Sequence, residues 1–117
     1  MGIHLNHPST SMSSSTTSLN FSHCYDLTDG ALAHLKGMPL TSVDFSSCTN
    51  LTDGSLAYLK GMPLTSVNFS WCDNLTDSAL AHLKGMPLAY ADFYGCNLSK
   101  EAIDRFEKEF PNCIASF

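Results

Sequence analysis

Residues 40–63 read LTSVDFSSCTNLTDGSLAYLKGMP, and residues 64–87 read LTSVNFSWCDNLTDSALAHLKGMP, a second copy with six substitutions in 24 positions. Residues 16–39 are an earlier copy that matches the first stretch at 16 of 24 positions, and residues 88–111 are a divergent fourth copy. A constant period of this size means one supersecondary unit stacked on itself. Within the unit, Val43 and Phe45 alternate as the buried side of a short strand does. Leu56 and Leu59, three apart, then give the apolar stripe of a short helix. Thr52 or Asp53 can cap that helix, Lys60 lies near its negative end, and Gly61 followed by Pro63 stops it.

A strand, a helix and the next strand every 24 residues predict a parallel sheet with right-handed crossovers and all helices on one side. The expected class is therefore α/β, a curved solenoid with the sheet on its concave face and short helices on its convex face. Residues 16–117 form the expected single domain, with repeats 16–39, 40–63, 64–87 and 88–111 and a C-terminal cap over 98–117. The cap segment is amphipathic: Ala102, Ile103, Phe106 and Phe110 share one side, and seven charged residues lie between Lys100 and Glu109. Cys113 to Phe117 are expected to add a last edge strand. Residues 1–15 are Ser/Thr-rich and are expected to be a disordered arm, with His4 and His7 solvated.

Composition narrows the function. With 117 residues, a net charge of −5 and only six Lys and Arg spread along the repeats, there is no basic stripe for nucleic acid. No apolar run approaches the roughly 18 residues that cross a bilayer, so no membrane partner is expected, and a cytoplasmic location fits. Cys24, Cys48, Cys72 and Cys96 recur at 24-residue intervals, which reads as a packing position and not a ligand set. No metal or cofactor is expected. Nor is an enzyme: there is no P-loop, G-x-S-x-G or H-E-x-x-H. His23 and Cys24, as strand neighbours, point apart, and Asp44 and Asp92 sit two strands apart with Asn68 between them. His34, Tyr58 and His82 read as a solvent-facing column.

The pattern L-x-x-V-x-F-x-x-C followed by NLTD and a short helix, as in LTSVDFSSC and LTSVNFSWC, resembles the cysteine-containing leucine-rich repeat over residues 16–111. GALAHL and the 24-residue period resemble, more narrowly, the GALA-type repeats of bacterial effector and F-box proteins. Phe stands where the family has its second strand leucine. The resemblance implies protein recognition on the concave face, in a substrate receptor or an effector delivered into a host cell. A ubiquitin-ligase role would also need an F-box segment, which residues 1–15 do not read as.

Between the two closest copies, Asp44/Asn68, Ser47/Trp71 and Thr49/Asp73 differ on or just after the outward strand face, while the inward strand positions are unchanged. The expected protein-binding residues are thus Asn20, Asp44, Asn68, Trp71, Tyr90, Asp92 and Tyr94. The alternative is a structural spacer, or a detached piece of a longer repeat protein. Thr16 in place of the first leucine predicts an open apolar N-terminal end and hence self-association.

Overall fold

The computed structural model describes residues 15–117; the expected arm and its His4 and His7 fall outside these, apart from Ser15. Five strands of three residues, β1 (Ser18–Asn20), β2 (Ser42–Asp44), β3 (Ser66–Asn68), β4 (Tyr90–Asp92) and β5 (Ile114–Ser116), form one parallel sheet in sequence order. Each residue pairs with the one 24 positions later, as in Leu19↔Val43, Val43↔Val67, Val67↔Ala91 and Ala91↔Ala115. The centre residue of β1 to β4 is buried, and its neighbours are half-buried or exposed. That is the alternation expected of a sheet with one face on a core.

Between successive strands lie a 3-10 helix at Asp29–Leu35, another at Asp53–Leu59, and a mixed segment in which α1 (Asp77–Leu80) runs into the 3-10 turn Ala81–Leu83. The tighter 3-10 form narrows the helical layer, so that it keeps pace with strands about 4.8 Å apart. An α-helical turn appears where Gly54-Ser55 becomes Ser78-Ala79, a change that removes a glycine with poor helix propensity. Gly37, Gly61 and Gly85 end these segments with φ of 83 to 85°, as a helix-terminating glycine does. The last crossover is a regular α-helix, α2 (Lys100–Glu109), whose Ser99 cap accepts a hydrogen bond from the Ala102 amide.

The expected capping role of Thr52 or Asp53 is not what forms. None of Thr28, Thr52 and Thr76 makes a side-chain cap; instead the aspartate after each threonine reaches forward to the next unit. Asp29 accepts from the Thr52 amide at 2.8 Å and from its hydroxyl, and Asp53 does the same to Thr76, whose amide is 2.7 Å away. Asp77 accepts from the Ser99 amide and hydroxyl at 2.7 and 2.6 Å. A carboxylate has acceptor positions for both donors, so this one side chain ties consecutive helical segments together.

The core is ordered by phenylalanine. Phe21, Phe45, Phe69, Phe93 and Phe117 follow one another at the same 24-residue interval and stack with centroids 5.2, 5.4, 5.7 and 6.2 Å apart. Phe106 of α2 meets Phe93 and Phe117 edge-on, and Phe110 packs on Phe106. The ladder thus starts in the first unit and is closed by the cap. Leu56 and Leu59 are buried, as expected of the helical stripe. Leu19, Phe21, Leu27, Leu32 and Leu35 of the first unit are buried too, so the apolar surface expected to be open there is covered. What stays unmatched is the outer edge of β1, beside which no described strand lies.

Among the described residues, no helix is long and apolar enough to cross a membrane.

Candidate protein-binding face

Each strand leads into a turn that the sequence builds the same way four times. Asn20, Asp44, Asn68 and Asp92 are half-buried, and their Oδ1 atoms accept from the backbone amide two residues on, at Ser22, Ser46, Ser70 and Tyr94, over 2.9 to 3.0 Å. This is the side-chain-to-backbone bond with which Asn and Asp hold a turn. The four residues do line up across the sheet, Asn20↔Asp44↔Asn68↔Asp92. One oxygen of each is already engaged in shaping the chain.

Three residues after the ladder the backbone turns left-handed, at His23 (φ 61°), Ser47 (61°), Trp71 (63°) and Gly95 (83°). Only glycine does this without steric cost, and a bulky side chain there is an outlier. Trp71 is therefore in this turn, just after β3 has ended at Asn68, its amide donating to the Tyr94 carbonyl. Its indole meets Tyr94 edge-on with centroids 5.1 Å apart and lies over Gly95, where an added Cβ would come within 2.5 Å of the ring. Gly95 is thus favoured by its backbone, which other units hold with His, Ser and Trp, and required by the indole. Trp71 is 55% exposed, Tyr94 53% and Tyr90 38%; the Tyr90 hydroxyl lies 3.4 Å from Asp92 Oδ2. Burial, first, and then the nearby Asp92 and Asp44 carboxylates raise the Tyr90 pKa. The structure so brings Trp71, Tyr90, Asp92 and Tyr94 together at the β3–β4 end, while Asn20 lies on the far strand.

One residue of this face was missed from sequence. Tyr25 is 56% exposed and its hydroxyl is 3.3 Å from His23 Nδ1. The signal was present: Tyr25 occupies the position where Thr49 and Asp73 differ. His23 is exposed and Cys24 buried, as expected, but through the left-handed turn, because β1 has already ended at Asn20.

The thiols face inward. Cys48, Cys72 and Cys96 each donate to a carbonyl of the preceding unit, Phe21, Phe45 and Phe69, at 3.0 to 3.1 Å. Burial pushes Cys48 and Cys96 up to about 12 and Cys72 further still. Such thiols stay protonated at neutral pH and lack the thiolate character that reactive cysteines need. Among the described residues no group of three metal-ligating side chains gathers.

On the helical side, a groove of about 650 Å³ is bordered by Tyr58 of the second 3-10 helix and by Lys36, Met38, Lys60 and Met62 from the segments that follow the first two helices. Tyr58 and His82 are half-buried, with Tyr58 packed on the core, so only His34 of that column faces solvent as expected. No family model matches the sequence, and no curated protein matches it.

Proposed function

We propose that the chain is a leucine-rich-repeat solenoid that recognises a protein partner through its strand-side, concave face, with Trp71 and Tyr94 as anchors and Tyr90 and Asp92 beside them. One observation carries the reading. An exposed tryptophan holds a backbone conformation that costs a non-glycine residue about 1 to 2 kcal/mol, at a position the other units fill with His, Ser or Gly. Strain retained at an exposed aromatic supports a functional role. Aromatic anchors of this kind dominate protein interfaces.

A second reading is favoured for part of the ladder. Asn20, Asp44 and Asn68 hold their own turns by the same bond, which supports a structural role for them and a spacer role for the regular units. The test is selection of binders from a displayed protein library, followed by Trp71→Ala and Tyr94→Ala. Each substitution is expected to weaken binding by about 2 kcal/mol or more and to leave the thermal midpoint nearly unchanged. Loss of folding without a binding-specific loss would assign both residues to structure.

A further inference from the structure

The charges on this chain are segregated. Three of its six basic residues, Lys36, Lys60 and Lys84, directly follow the helical segments, and the other three, Lys100, Arg105 and Lys108, are on α2. The strands and the turns that follow them carry no Lys or Arg; they carry Asp26, Asp44, Asp73 and Asp92. Three other aspartates, Asp29, Asp53 and Asp77, are used to tie helical segments together. At the aromatic end of the strand side, Asp92 closes β4 between Tyr90, on the same strand, and Tyr94, in the turn that follows, and exposed Asp73 is two residues beyond Trp71. The two rings at 84° to one another make a corner, and carboxylates stand close to it.

We infer that this corner takes an arginine or lysine side chain from an extended basic segment of the partner protein, an inference that rests on the strand side being a protein-binding face. An aromatic ring face attracts a cation through its quadrupole. Asp92 and Asp73 add charge attraction that no lysine or arginine on this side of the molecule offsets. The same arrangement repels an acidic segment, which would bring like charges together. The indole is held against Gly95 before any partner arrives, so little ordering is left to be done on binding.

The experiment uses the whole chain and a displayed library of random peptides, selected in parallel on the parent protein and on Trp71→Ala. Trp71 is the sole tryptophan, so its fluorescence then reports each recovered peptide at the site itself. Asp92→Asn removes the charge yet keeps the turn, because Asn20 and Asn68 make the same bond at this position. The expected result is a set of Trp71-dependent peptides rich in Arg or Lys, whose affinity drops about tenfold in Asp92→Asn and falls as salt is added. Trp71-dependent peptides with no basic bias, or with affinity indifferent to Asp92→Asn, would overturn the cation assignment and leave protein binding standing. An absence of Trp71-dependent peptides would overturn both.

Discussion

The second and third units are near copies in sequence but differ in what their turns display. In the second, Ser47 occupies the left-handed position and is half-buried; in the third, Trp71 occupies it and reaches over Gly95 of the fourth. The inward residues of the two strands and turns, Val43 and Val67, Phe45 and Phe69, Cys48 and Cys72, are the same residue types and are equally buried. The core therefore constrains one side of the unit, and the other side is free to vary. Stability rests on the inward side chains and the proposed recognition on others, and that separation can be tested.

The largest effect is expected from the inward side. Phe69 is stacked between Phe45 and Phe93 and is wholly buried. Phe69→Ala should lower the unfolding free energy by about 3 to 5 kcal/mol, measured by urea denaturation. A loss below about 1 kcal/mol would show that the stack is decoration. On the outward side, Trp71→Ala should leave that unfolding curve nearly unmoved, because the indole is more exposed than buried and alanine, which keeps the Cβ, carries the same cost in the left-handed turn.

A smaller effect is expected at the cysteines. Cys72 donates to the Phe45 carbonyl, so Cys72→Ala should cost about 1 to 2 kcal/mol while Cys72→Ser, which keeps a donor, should cost less. The opposite order would mean that burial of a hydroxyl outweighs the bond. Rapid modification of Cys72 by a thiol reagent in the native protein would contradict its burial outright.

Much of this was legible in the sequence because it repeats. The strand register, the burial of Val43, Phe45 and Cys48, the last strand at Ile114–Ser116 and the packing of Ala102, Phe106 and Phe110, though not of half-buried Ile103, follow from the pattern of the unit and its cap. What was not legible depends on contacts between units. Asp53 reads as a helix cap when one copy is considered alone, and its bonds to Thr76 appear only once the copies are stacked. The 3-10 form was hidden for the same reason: the pattern Leu56, Leu59 fits either helix, and the spacing of the sheet decides between them. At the candidate site, Trp71, Tyr90 and Tyr94 were found from the sequence and Tyr25 was missed. The left-handed turn was not found, because His23, Ser47 and Trp71 do not mark positive φ and its one sign was Gly95 at the same position of the fourth unit.

Ser55 tests how strictly the core side is optimised. It is wholly buried and its hydroxyl has no hydrogen-bond partner among the described residues, while the first and third units have Ala31 and Ala79 there. An unsatisfied buried hydroxyl is destabilising, so Ser55→Ala should raise stability by about 1 kcal/mol. A fall in the midpoint would mean that the hydroxyl has a bonding partner after all.

The smallest effect separates the C-terminal unit from the rest by pH. The Ser99 hydroxyl and then its amide bond to Asp77, and hold its carboxyl below the usual carboxylate range; nearby Arg105 acts in the same direction. A group whose pKa is lower in the folded than in the unfolded chain stabilises the fold above its unfolded value and loses that contribution as pH falls through its folded value. The tie between Asp77 and Ser99 is therefore intact at neutral pH and fails only below about pH 4. Asp77→Asn keeps an acceptor for the Ser99 amide but puts a donor where the hydroxyl now donates, so the variant should melt below the parent at pH 7. As acid protonates the parent carboxyl, the two midpoints should converge below about pH 4. A gap that persists unchanged into acid would show that the tie is a matter of shape and not of charge, and a gap that closed between about pH 5 and pH 7 would place the titrating group elsewhere.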